Sequence, residues 1–181
     1  MPVFLFETAY EGEHNYNFNQ IRAEMYWGWL CCVAGQQMGN NPIWKFASGW
    51  QSAMDGQGSM DAARLKRLVD SRTWFKLIPD YNHEVVTSGY GSGETYVSAA
   101  RTSDGETIIA YIPSGGTSIT VDMSKISGKK AEAWWFNPRN GNTAFIGRFT
   151  ANGSRGFLMP DSEDWVLVID DASTNFQAPG K

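Results

Sequence analysis

The chain has 181 residues, 42% hydrophobic and 19% charged, with Lys and Arg at 15 against Asp and Glu at 19 for a net charge of −4. That composition suits one domain or two small ones and excludes wholesale disorder. It lacks the basic footprint of a nucleic-acid binder and any apolar run near the ~20 residues of a membrane span, so neither nucleic acid nor membrane is expected as a partner. The opening Met1-Pro2-Val3-Phe4-Leu5-Phe6 meets Glu7 without a basic region, so no signal peptide is read there. The two cysteines, Cys31 and Cys32, are adjacent, where a bridge is strained, and a disulfide framework is excluded. Aromatic residues stand out instead: eight Trp, seven Tyr and ten Phe.

Residues 2–6 form a run that is apolar on both faces, the pattern of a buried parallel strand. Over residues 18–34, Ile21, Met25, Tyr26, Leu30, Cys32 and Val33 recur at three- and four-residue steps, which predicts a helix apolar nearly all round. Asn17 or Asn19 is its expected N-cap and Gly35 its C′ glycine. Cys31 and Cys32 then fall inside a buried helix as inert small hydrophobes. A short strand is expected over residues 36–40, followed by a long loop, 41–58, carrying Trp44 and Trp50. Ser59 is expected to cap a second helix, with Asp61 in its first turn and Leu65, Leu68 and Val69 facing inward. Strand, helix, strand, loop, helix is the unit of a parallel sheet or barrel.

Beyond residue 84 the pattern is all-β. Strands are expected at 95–102, 107–112, 118–122, 130–136, 143–149, 156–159 and 165–169, separated by glycine-bearing turns at sandwich spacing. Asn137-Pro138-Arg139-Asn140-Gly141 predicts a tight turn that pairs 130–136 antiparallel with 143–149. The polar tail, 172–181, is expected to be loosely held. The predicted fold is therefore α/β plus all-β: a partial TIM barrel, its last two βα units in residues 1–84, followed by an antiparallel β-sandwich in 85–181. Two βα units do not close a barrel, so the chain reads as the end of something longer. The unpaired edges and the apolar helix then point to a homo-oligomer built through residues 2–6 or the flanking helices, with an interface above ~2,000 Å².

The sharpest local feature is Phe6-Glu7-Thr8-Ala9-Tyr10-Glu11-Gly12-Glu13-His14. A carboxylate at the C-terminal end of a parallel strand sits where α/β barrels keep their active sites. A lone carboxylate buried there is costly unless something pairs with it or uses it. Tyr10 is within reach of Glu7, while Glu11, Glu13 and His14 read either as site residues or as solvated loop groups. Sugar rings stack on indole and phenol, and Asn, Gln and Glu satisfy their hydroxyls. Trp44 and Trp50 beside Gln37, Asn40 and Asn41 fit a sugar subsite or simple packing. Gly89-Tyr90-Gly91-Ser92-Gly93 does not fit G-x-S-x-G, so a serine esterase ranks last. His14 and His83 offer no H-E-x-x-H and the cysteines no C-x-x-C, so no metal and no cofactor are expected.

The segment Val3 to Glu11, with its E-x-x-Y-E pattern, resembles a late barrel strand of the apiosidase-like glycoside hydrolases, family 140 and its relatives. The resemblance continues through Arg22 and Tyr26-Trp27 (R-x-x-x-Y-W), Ala34-Gly35, Gly39-Asn40-Asn41, Ile43-Trp44 and Pro79-Asp80. Trp135-Phe136-Asn137-Pro138-Arg139-Asn140-Gly141 resembles the W-F-x-P-R-x-G turn of the C-terminal sandwich these enzymes carry, a domain labelled collagen-binding. The resemblance implies a retaining glycosidase acting on a polysaccharide or its side chains, secreted or periplasmic, with Glu7 as nucleophile and Tyr10 orienting it. Glu11, His14, Gln37, Asn40 and Trp44 are the residues expected to hold the sugar. The family draws its acid/base carboxylate from an earlier strand, which this sequence does not contain. The rival expectation is a non-catalytic carbohydrate-binding or accessory module.

Overall fold

The structure, a computed structural model, describes residues 2–181. Strands β1 (Phe4–Leu5) and β2 (Tyr10–Glu11), helix α1 (Phe18–Leu30), and strands β3 (Gly35–Gln36) and β4 (Gly39–Asn40) come first. β1 pairs in parallel with β3, and β2 with β4. The helix makes the crossover that parallel strands require. The single strand expected over residues 36–40 is thus two dipeptide strands with different partners. Contrary to the buried strand read from residues 2–6, Val3, Phe4 and Phe6 are exposed, because β1 is paired along one edge only.

Helix α1 starts where the sequence places it. Asn17 Oδ1 accepts from Gln20 N at 2.9 Å and Gln20 Oε1 accepts from Asn17 N at 3.1 Å, a reciprocal capping box. It stops at Leu30, short of residue 34, because Cys32 takes the left-handed conformation at φ +60° that Gly35 was expected to supply. Gly35 serves another purpose: a Cβ there would stand 2.3 Å from the Phe4 ring. Cys31 and Cys32 lie at this helix end and are exposed, not buried in the helix. After a 3₁₀ turn at Ile43–Lys45 come α2 (Trp50–Ala53) and α3 (Gln57–Asp70). Helix α3 begins two residues before Ser59, with Gly56 at the N-cap position, and buries Leu65 and Leu68.

Nine strands follow: β5 (Leu77–Pro79), β6 (Val86–Ser88), β7 (Ser98–Thr102), β8 (Thr107–Ile112), β9 (Ser118–Asp122), β10 (Lys130–Phe136), β11 (Thr143–Thr150), β12 (Ser154–Leu158) and β13 (Trp165–Asp171). They form two antiparallel sheets, ordered β11-β10-β13-β8-β7-β5 and β12-β9-β6. The expected hairpin is present, with register running from Lys130↔Thr150 to Phe136↔Thr143. Its turn closes with Asn137 N donating to Asn142 O at 2.8 Å.

Between the sheets, Ile108, Ala110, Leu167 and Ile169 meet Ile119, Val121 and Phe157. On its other face the six-stranded sheet presents Ile109, Tyr111, Val166 and Val168 to Ile21, Met25, Tyr26 and Leu30 of α1. Covered on both sides, β8 and β13 are buried along their whole length, which explains their near-continuous apolar sequence. Residues buried as fully as Ile21 and Leu30 contribute about 1.5–3 kcal/mol each in this seam. Arg22, Asp61 and Asp164 form a buried ionic cluster at the same place. The tail is held rather than loose. Arg72 Nη2 donates to Gln177 O, its guanidinium lies over the Phe176 ring, and Gly180 N donates to Ser71 Oγ.

Candidate active site

The site is built where β1 and β2 end. Glu7 stands two residues past β1 and Tyr10 opens β2. A Cβ on Gly39 would sit 2.4 Å from the Tyr10 ring, so this glycine lets the phenol lie flat over β4. Tyr10 Oη donates to Glu7 Oε1 at 3.4 Å. Trp44, from the 3₁₀ turn, meets the Tyr10 ring edge to face at 6.3 Å and 82°. Its Nε1 donates to Glu13 Oε1 at 2.9 Å, and Lys45 Nζ lies 3.6 Å from the same oxygen. His14 packs edge-on to Tyr16. Glu7, Thr8, Tyr10, Glu13, His14, Tyr16 and Trp44 together line an open cleft of about 320 Å³.

Four of the residues singled out in the sequence therefore converge: Glu7, Tyr10, His14 and Trp44. Glu7 is exposed, where a largely buried carboxylate was expected, because the strand beneath it is covered on one edge only. Glu11 points elsewhere. Its Oε2 accepts from Asn40 Nδ2 at 2.9 Å and from Gly58 N at 3.0 Å, so it caps the first turn of α3. Asn40 is buried beside it, and Gln37 is exposed outside the cleft. Glu13, Thr8 and Tyr16 also belong to the cleft, and of these the sequence marks only Glu13. The signal for Glu13 is its place between Tyr10 and His14 on one short loop.

The electrostatics follow from these contacts. The Trp44 hydrogen bond holds the Glu13 carboxyl below its ordinary range despite some desolvation, with Lys45 adding to the effect. Desolvation raises the Tyr10 phenol, and the neighbouring Glu7 charge raises it further. Tyr10 is thus a neutral donor at physiological pH, suited to hold a carboxylate in place while leaving its second oxygen free. A charged carboxylate, a phenol, an imidazole and a half-exposed indole, with Lys45 Nζ 4.6 Å over its ring, form the kind of surface that holds a sugar ring. Among the described residues, no three His, Cys, Asp or Glu side chains group as metal ligands. None of their helices is long and apolar enough to cross a membrane.

Residues 1–76 match the family profile described as "Apiosidase-like, catalytic domain". Residues 78–170 match the one described as "Putative collagen-binding domain of a collagenase". Among solved structures, one described as a glycoside hydrolase is 27% identical with a TM-score of 0.85, covering 95% of this chain and 43% of its own. A glycoside hydrolase family 5 protein from Bacteroides vulgatus is 26% identical with a TM-score of 0.86, covering 97% of this chain and 42% of its own. A family 30 endoxylanase from Clostridium papyrosolvens, 14% identical at a TM-score of 0.51 over 92% of this chain and 42% of its own, shares the fold alone. The chain spans just over two fifths of the length of these structures. No curated protein matches it. The chain belongs to the family described as "Putative collagen-binding domain of a collagenase", whose profile covers half of its length, and its residues 1–76 are similar to the apiosidase-like catalytic domain.

Proposed function

We propose that this chain is the closing part of a retaining glycoside hydrolase: residues 1–76, not 1–84, are the last two βα units of a TIM barrel, and the accessory sandwich begins with β5, which pairs with β7 in the six-stranded sheet. The observation that carries the reading is the Tyr10 Oη–Glu7 Oε1 hydrogen bond inside an aromatic-rimmed cleft at strand ends. Glu7 is the nucleophile. Its free oxygen attacks the anomeric carbon, the bond to the leaving oxygen breaks, and that oxygen takes a proton from a second carboxylic acid. Water, deprotonated by the same group, then cleaves the glycosyl ester and restores Glu7. The acid/base group must lie about 5–5.5 Å from Glu7, and it belongs to a barrel strand outside these two units.

In this reading Trp44 and His14 contact the sugar directly. Glu11 and Asn40 support it from below by fixing β2, β4 and α3 to one another. Gln37, next to the β1–β3 ladder through Gln37 N to Leu5 O, is a peripheral contact. The substrate is a polysaccharide or one of its side chains. The exposed edge of β1 is covered by further barrel strands in a longer chain, or by a second copy when these 181 residues stand alone.

A second reading, a carbohydrate-binding module without turnover, draws on the exposure of Glu7. One experiment separates the two. The protein is assayed on a panel of aryl glycosides beside its Glu7→Gln variant, with sugar binding measured in parallel. Turnover that disappears in Glu7→Gln while binding persists supports the enzyme. Turnover unchanged by Glu7→Gln removes the nucleophile assignment, and binding with no turnover by the parent protein favours the module.

A further inference from the structure

A second groove adjoins the Glu7 cleft. Tyr16 lines the cleft and Asn17, the next residue, lines the groove, so one peptide unit separates them. The groove encloses about 310 Å³ along the seam between α1 and the sandwich. Gln20, Glu24 and Trp27 form its helical wall, and Glu94, Pro113 and Ser114 the opposite one. Glu24 Oε2 accepts from Ala9 N at 2.8 Å, which anchors this wall to the loop that carries Glu7. Trp27 Nε1 donates to Tyr96 O at 2.9 Å, fixing the indole between the two layers. Asn19 Nδ2 donates to Ser114 Oγ at 3.2 Å and ties the walls together at one end.

The lining combines an indole and a proline ring with amide, hydroxyl and carboxylate groups, the mixture that receives the apolar and hydroxyl faces of a sugar. The charged residues of its lining are Glu24 and Glu94, and the nearby Arg22, which donates to the lining Asn19, is itself held by Asp61 and Asp164. An anionic glycan is repelled there, and an uncharged one finds acceptors for its hydroxyls. We infer that this seam is a second carbohydrate subsite, taking the continuation of a neutral oligosaccharide whose reacting residue sits at Glu7. The inference rests on the reading of the Glu7 cleft as a sugar site, and it assigns the sandwich a share in substrate binding.

The test titrates the 181-residue chain with neutral xylo-, manno-, galacto- and arabino-oligosaccharides of two and six residues, and with oligogalacturonides of the same lengths. At least one neutral hexamer is expected to bind about 10-fold or more tighter than its dimer, a gain that longer contact supplies. The galacturonide hexamer is expected to show no gain over its dimer. Ser114→Trp fills the groove from the sandwich side and removes the hexamer's gain while dimer affinity stays the same. Glu94→Arg, a surface change, strengthens galacturonide hexamer binding. Circular dichroism checks that both variants fold.

Equal affinity for dimer and hexamer, a gain that survives Ser114→Trp, or galacturonide hexamers bound as tightly as neutral ones each overturn the inference. The cleft reading then stands or falls separately on whether Trp44→Ala abolishes dimer binding. If Trp44→Ala changes nothing while Ser114→Trp removes hexamer binding, the cleft reading fails and the groove stands as an independent sugar site. Binding of none of these oligosaccharides rejects both.

Discussion

Arg22 in α1 grips Asp164 at the head of β13 with two hydrogen bonds, Nε to Oδ2 at 2.6 Å and Nη2 to Oδ1 at 2.8 Å. Its third nitrogen, Nη1, donates to Asp61 Oδ2 of α3 at 2.7 Å, and Arg64 Nη1 donates to the other oxygen of Asp61. Tyr111 Oη of β8 completes the cluster on Asp164 at 2.9 Å while its ring stacks on Tyr26 at 4.6 Å. One guanidinium thus joins both helices to the sandwich, in a place where Arg22, Asp61 and Asp164 have side chains at most 3% exposed.

Replacing Arg22 by Met leaves the fully buried Asp164 without its guanidinium, while Asp61 keeps Arg64. The expected loss is about 3–5 kcal/mol of unfolding free energy, the usual cost of stranding buried charge. Arg22→Lys recovers little, because a single ammonium does not reach both carboxylates as the planar fork does. Denaturant unfolding of the three proteins checks this, and a Met variant as stable as the parent would show that the seam relaxes around the lost cation.

Glu11 holds α3 from a distance of 47 residues in sequence, since Gly58 N donates to it. Glycine suits this contact, because a Cβ on Gly58 would stand 2.7 Å from Glu11 Oε2 and 2.6 Å from Met38 Sδ, and both side-chain ends would have to shift. Glu11→Ala is expected to cost about 1–2 kcal/mol, the value of a capping carboxylate at a helix N-terminus. Gly58→Ala is expected to destabilise as well, although alanine is the better helix former. Stability that rises in Gly58→Ala would mean Glu11 moves aside freely.

The bond from Trp44 to Glu13 gives the cleft a pH signature. Glu13 is held below the ordinary glutamate range by that bond, so its carboxylate stays charged down to lower pH than an isolated one. The Trp44 Nε1–H resonance is expected to shift only as the pH falls below 4.5, the ordinary value, and Glu13→Gln is expected to abolish the shift. A midpoint at or above the ordinary value would place Glu13 free in solvent.

Asp104 supplies a stability signature in the same range. Burial works against its ionisation, but hydrogen bonds from Lys76, Thr102 and Glu106 N outweigh it and hold the carboxyl at about 2, against 3.8 for an unperturbed aspartate. A depressed folded-state value stabilises the fold at pH above 3.8, and the contribution fades as the pH falls from 3.8 toward about 2. Asp104→Asn is expected to flatten the acid limb of the stability profile in that window and to leave its shape near pH 7 unchanged. Thermal melts across the acid range measure it.

How far the sequence could be read depended on whether the deciding contact was local. β8, β9 and β10 match their expected bounds because each is an apolar or alternating run closed by a glycine turn. The Asn17 capping box is likewise contained within four residues. The misreadings involve partners far along the chain. β5 was missed because Leu77-Ile78-Pro79 is three residues long and contains a proline, and its pairing with β7 alone makes it a strand. Gly35 looked like a helix end because the reason for it, the Phe4 ring, comes from the other strand. Glu11 read as a site residue because Gly58, its partner, lies on a helix whose start was placed at Ser59. The Arg22 cluster did leave a trace, since an arginine within a helix apolar nearly all round requires buried partners. Of its partners, Asp61 reads in the sequence only as a first-turn helix residue, and Asp164 carries no mark that singles it out.

The edge of β1 yields the last prediction. Phe4, on β1, and Phe6, just past it, are 57% and 71% exposed, and β1 is bonded along one side only, to β3. An open edge flanked by large apolar side chains pairs readily with another chain. When these 181 residues stand alone, a second copy is the available partner, and sedimentation at micromolar concentration is expected to show a dimer. Phe4→Lys places a charge on that edge and is expected to yield a monomer with an unchanged circular dichroism spectrum, because Phe4 contributes little to the buried clusters of the parent. A dimer that survives Phe4→Lys would move the interface elsewhere, to the flanking helices. A parent chain that is already monomeric and binds no apolar dye would mean that the edge is satisfied within the chain, and the need for added barrel strands would lose its physical basis.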